Sequence, residues 1–95
     1  MASPPVQLAE LRSRVRQLGS SLQLSGAVQT EAHNLAVQLA PDWYSTRRMT
    51  GSVLAAACVF ITSRLNQLPV TMVSVALASQ VRPKALDLGF CVLGL

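Results

Sequence analysis

Nine consecutive apolar residues, Val53-Leu54-Ala55-Ala56-Ala57-Cys58-Val59-Phe60-Ile61, stand just past the middle of the sequence without a polar interruption. A segment that is apolar on every side has no face to offer to water, so the rest of the chain must surround it. Three successive alanines favour helix over strand, because alanine gives up no side-chain entropy in a helix and lacks the branched bulk that suits a pleated surface. The chain is therefore expected to wrap around one central helix that opens at Thr50 or Ser52. The run is far shorter than the roughly 20 residues of a membrane span. The start, Met1-Ala2-Ser3-Pro4-Pro5, lacks the basic and apolar regions of a secretory leader. A soluble intracellular protein with no membrane partner is the expectation.

The flanking sequence supplies the surrounding layer. Leu8, Leu11, Val15, Leu18 and Leu22 step by three and four, the stripe of an amphipathic first helix. Arg12, Arg14 and Arg16 fall off that stripe, as either a solvated face or an anion-binding one, and Gly19-Ser20-Ser21 is predicted to weaken the last turns. Ser25-Gly26 offers a cap to a second helix, in which Val28, Ala32, Leu35 and Leu39 repeat the spacing and Pro41 is expected to enforce the stop. His33, off the stripe and without a nearby carboxylate, reads as a surface residue. Residues 41–48 then read as a polar-aromatic loop carrying Trp43, Tyr44, Arg47 and Arg48. The central third helix is expected to emerge into solvent at Thr62, Ser63, Arg64 and Asn66. Thr71 caps a short fourth helix with Met72, Val75, Ala76 and Ser79 inward. Arg82-Pro83-Lys84 opens a fifth that buries Leu86, Phe90 and Leu93. The fold class is all-α: five helices around a buried third, one domain over 8–95 behind a short tail at 1–7.

Length and composition agree with a single binding domain. At 95 residues a two-domain enzyme is excluded, and 51% hydrophobic residues with only 13% charged ones exclude disorder as the default. A domain this small buries little more than about 60% of its unfolded surface, which leaves room for a stabilising neighbour. Eight Lys and Arg against four Asp and Glu give +4, and all cations but Lys84 are Arg, the residue suited to bidentate phosphate or carboxylate contacts. That charge is read either as a solubilising surface or as a nucleic-acid contact. Catalysis is not expected, because the carboxylates Glu10, Glu31, Asp42 and Asp87 are scattered and no nucleophile or phosphate-loop motif is present. Cys58 and Cys91, in apolar runs and with 32 residues between them, read as reduced buried hydrophobes, and with one His they are too few to close a zinc site. No metal, cofactor or small-molecule substrate is predicted.

Arg47-Arg48, then Ala56-Ala57-Cys58-Val59-Phe60-Ile61-Thr62-Ser63-Arg64, then Pro69-Val70-Thr71 resemble the first cyclin-like repeat of the transcription factor IIB family. In that family a basic residue precedes helix three, an Ala-Ala-Cys run ends in Arg, and a Pro-x-Thr starts helix four. Leu11 to Leu18 and Leu22-Gln23-Leu24 continue the likeness, which covers roughly residues 10 to 95. Within the family the sequence is most similar to the IIB-related subunits of the RNA polymerase III initiation factor. The smallest subunit of the origin recognition complex, which also begins with such a repeat and ends its first domain near a Leu-Gly-Leu, is a second likeness. A kinase-activating cyclin is a weaker third, since its kinase-contact signature is not evident. The resemblance implies a non-enzymatic nuclear domain of transcription initiation that contacts double-stranded promoter DNA and a partner of the TATA-binding-protein class. Family members join a zinc ribbon, a linker and two repeats. With no CxxC and one repeat here, recruitment through a ribbon and clamping between two repeats are not expected to carry over whole.

On this reading Arg47, Arg48, Arg82 and Lys84 are the expected phosphate contacts. Arg82 and Lys84 flank the start of helix five, where open N–H groups and the helix dipole favour an anion. Helices four and five either form a helix-turn-helix unit or merely meet at a packing turn. Trp43, Tyr44 and Arg64 are the expected partner contacts, with stapling of the second connection to the core as the other reading of the two rings. A protein-interaction adaptor, a shortened relative that competes with a longer one, is the alternative function. Its basis is the apolar tail Phe90-Cys91-Val92-Leu93-Gly94-Leu95, which would leave apolar surface open.

Overall fold

The apolar run forms α3, Gly51–Leu65, and every residue from Val53 to Val59 is buried. Around it lie α1, Pro4–Ser21, α2, Gly26–Ser45, and α4, Met72–Ser79, all three in contact with α3. The computed structural model describes residues 4–45, 51–82 and 84–86, with side chains described for 8–41, 51–82 and 84–86. Every regular element among them is helical, and 84–86 forms the opening turn of a fifth helix. Phe90, Cys91 and Leu93 lie outside the described residues.

The first stripe behaves as its spacing predicts, with Leu11, Val15 and Leu18 buried and Leu8 and Leu22 packed against the core. The helix begins at Pro4, whose fixed φ suits a first turn. Gly19 does not end it. A Cβ at Gly19 would overlap the Gln29 side chain of α2, so glycine there lets the end of α1 and the start of α2 approach closely. In α2 the fully buried positions are Val28, Ala32, Ala36 and Ala40, four apart, while Leu35 and Leu39 sit half-buried beside them.

Two expected boundaries are corrected. Pro41 does not stop α2, which continues to Ser45, so residues 41–45 are helical rather than loop. Proline gives up the amide bond to the Val37 carbonyl, but both residues are exposed there, where water competes for that carbonyl and the loss is least. At the other end of α3, Thr62 and Ser63 do not emerge into solvent but are buried. Ser63 Oγ donates to the Val59 carbonyl at 2.8 Å, which lets a hydroxyl enter the core with its donor satisfied. The surface is reached at Arg64. Just beyond, Asn66 Nδ2 donates to the Thr62 carbonyl at 2.8 Å and to Glu31 Oε2 at 3.1 Å, tying the end of α3 to α2.

One device ends three helices. Gln23, Gln67 and Gln80 each adopt left-handed φ, 57°, 57° and 58°. After each, an apolar residue reaches back five residues: Leu24 N–H to Gly19 O at 2.7 Å, Leu68 to Ser63 at 2.9 Å, Val81 to Ala76 at 3.1 Å. The glutamine N–H itself bonds to Ser20, Arg64 or Leu77. These paired bonds are the Schellman arrangement, with its apolar contact folded back on the helix. The start of α4 is capped as expected, Thr71 Oγ1 accepting the Ser74 N–H at 3.1 Å.

Two stability predictions follow from this packing. Ala56 and Ala57 are fully buried, so Ala56→Leu and Ala57→Leu should each cost about 1–3 kcal/mol by overpacking. Gln67→Gly removes the left-handed strain at an exposed position and should add about 0.5–1 kcal/mol. Thermal melts read both, at roughly 4–8 °C per kcal/mol.

Candidate nucleic-acid interface

The cations at the end of α4 are set by the chain's own bonds. The left-handed Gln80 turns the chain, Val81 packs against the core, and the Arg82 carbonyl accepts the N–H groups of Ala85 at 2.9 Å and Leu86 at 3.2 Å. Leu86 is buried and anchors the turn at 84–86. Arg82 and Lys84 are left exposed on either side of that turn, and neither makes an ion pair among the described residues. The turn from α4 into 84–86 is thus short and internally bonded.

Beside it lies a polar cleft of ≈ 320 Å³, walled by Arg14 and Gln17 of α1, Ser52 in the first turn of α3, and Ser79 and Gln80 at the end of α4. Arg14 is already engaged, its Nη2 lying 2.8 Å from Glu10 Oε1 on the same helix. Such a half-exposed i,i+4 pair contributes about 0.3–0.5 kcal/mol. Arg47 and Arg48 lie outside the described residues. Arg82 follows Gln80 by two residues. Arg82 is thus close along the chain to one wall of this cleft.

Of the expected partner contacts, Arg64 is not gathered with Arg82 and Lys84. Arg64 is exposed in the last turn of α3, where a cation complements the carbonyl end of a helix. It precedes α4 whereas Arg82 follows it, and eight helical residues put about 12 Å between the two ends. Trp43 and Tyr44 fall in the last turn of α2, and their side chains lie outside those described.

His33 is not a surface residue. It is half-buried, its Nδ1 is buried with no hydrogen-bond partner among the described residues, and it lines a cleft between α1 and α2 with Arg12 and Arg16. Its place follows from Gln29, Thr30 and His33 sharing one face of α2, a polar face that a search for apolar stripes passes over. Among the described residues no three His, Cys, Asp or Glu come together as a metal-binding group. No described helix is long and apolar enough to cross a membrane.

Cys58 is free and buried, and burial pushes its thiol from 9.0 up to about 12. A thiol held protonated is packing and not a nucleophile. The unfolded chain loses this proton first, so the stabilising contribution is whole below about pH 9 and is lost as the pH climbs towards about 12. Within that window stability should fall about 1.4 kcal/mol per pH unit from this group alone. Urea melts of Cys91→Ser and Cys91→Ser/Cys58→Ala at rising pH check it, the difference in slope being the expected result.

Residues 5–93 match the family model described as the transcription factor TFIIB repeat. No curated protein and no solved structure matches the chain.

Proposed function

The chain belongs to the transcription factor TFIIB repeat family, and on that premise we propose that it contacts promoter DNA and a partner of the TATA-binding-protein class in the nucleus. A repeat of this family is a cyclin-like, all-α, non-catalytic domain of a transcription factor. Arg47, Arg48, Arg82 and Lys84 serve as phosphate contacts, and Trp43, Tyr44 and Arg64 face the protein partner. The observation that carries the DNA reading is the exposed Arg82 and Lys84, without an ion pair among the described residues, on a turn held by its own backbone bonds. Contacts of this kind supply affinity and register without reading sequence. The setting proposed is RNA polymerase III initiation, which rests on the sequence likeness. A pull-down from nuclear extract, scored for TATA-binding protein against origin-complex subunits, separates it from a replication role.

Neutralising about four phosphates predicts a log–log salt slope near −3.6 for duplex DNA, and Arg82→Gln/Lys84→Gln should halve it to about −1.8. Fluorescence anisotropy of a labelled duplex from low to moderate salt makes the measurement. No binding at low salt, or a flat slope, overturns the DNA reading.

A second reading, the protein-interaction adaptor, is favoured by one feature. Val73 and Leu77, one turn apart on α4, are 62% and 76% exposed, and Leu65 at the end of α3 is 76% exposed. Apolar side chains this open suit a protein contact. A strictly monomeric species in sedimentation at micromolar concentration counts against self-association through them.

A further inference from the structure

The cleft between α1 and α2 stands apart from the turn at Arg82 and Lys84. Arg12 and Arg16 are one turn apart on α1, about 6 Å along its axis. At 100° per residue Arg14 points to the opposite flank, and it is Arg14 that faces the end of α4. The ≈ 260 Å³ between the helices is walled by Arg12, Arg16, Gln29, Thr30 and His33 over the buried Val15.

Among the described residues the charge in this cleft is uncompensated. Neither carboxylate described on the two helices serves it: Glu10 holds Arg14, and Glu31 accepts from Asn66 of α3. Arg12 and Arg16 make no ion pair among the described residues. Gln29 and Thr30 are fixed as walls, the amide donating to the Leu24 carbonyl at 3.0 Å and the hydroxyl to the Gly26 carbonyl at 2.9 Å. That leaves the Arg12 and Arg16 side chains and the half-buried His33 along one space.

We infer that this cleft binds a phosphomonoester, carried on a serine or threonine of a partner polypeptide. Two guanidinium forks beside an imidazole ring suit the three free oxygens of a phosphoryl monoester and its near-double charge. A carboxylate has two oxygens and one charge. A nucleic-acid phosphodiester also has two free oxygens, and its two chains would have to leave a cleft that opens between helices. The apolar floor at Val15 lowers the local dielectric and strengthens each charged hydrogen bond. The inference does not depend on DNA binding at Arg82 and Lys84.

The test titrates the whole chain with N-acetyl-O-phosphoserine-N-methylamide and follows the His33 ring and the Arg12 and Arg16 Nε–H resonances by NMR. Saturable shifts confined to these groups are expected. Arg12→Gln, Arg16→Gln and His33→Ala should each weaken binding about tenfold. Arg14→Gln, on the other flank, should leave it unchanged, and amide spectra of the variants verify that each remains folded. N-acetyl-aspartate-N-methylamide should bind more weakly by at least about tenfold. Equal binding of the aspartate compound makes this a carboxylate site and overturns the proposal. Inorganic phosphate binding more tightly than the amide excludes a side-chain carrier and also overturns it. So does displacement of the amide by a short DNA duplex, or the absence of any saturable shift.

Discussion

Everything in this domain rests on how closely its helices approach α3. Ala55, Ala56 and Ala57 of α3 and Ala32, Ala36 and Ala40 of α2 are buried in one hydrophobic cluster, and the two helices pack on one another. Helix axes lie 8–10 Å apart according to the side chains between them, and alanine sets the near end of that range. A chain with 4% aromatic residues has few large side chains to fill wider gaps. Close approach is thus the way this composition reaches native packing density. The same need explains Gly19, where even a methyl group would meet Gln29.

The central helix and the first stripe were legible because burial on all sides and on one side leave different periodicities, and both are long here. Family likeness strengthened that reading through the Ala-Ala-Cys run and the Pro-x-Thr start. Boundaries were harder to read. Pro41 is a stop signal in a buried helix and only a lost bond in an exposed one, and exposure is not written in the local sequence. Thr62 and Ser63 look like surface residues until the i−4 carbonyl that satisfies Ser63 is known. The left-handed glutamines carry no residue-type signal, since glycine is the usual occupant. What marks them is the apolar residue that follows each one.

The candidate sites divide along the same lines. Arg82 and Lys84 were legible as exposed cations beside a short turn, and the structure adds the bonds that hold the turn. Arg12 and Arg16 were visible only as charges off a stripe. Their convergence with His33 depends on how α1 and α2 cross, which no spacing within either helix specifies. A helix with arginines on two flanks, one flank engaged by Glu10 and the other left free, can serve two different surfaces.

The three glutamine-terminated helix ends bear on how the chain finds its fold. Each stop is closed by bonds spanning three and five residues, so helix ends can be set before any distant part of the chain arrives. Only the docking of finished helices on α3 and on one another then needs longer loops to close. A chain built from contacts this local belongs among the fast folders, with relaxation on the microsecond-to-millisecond scale.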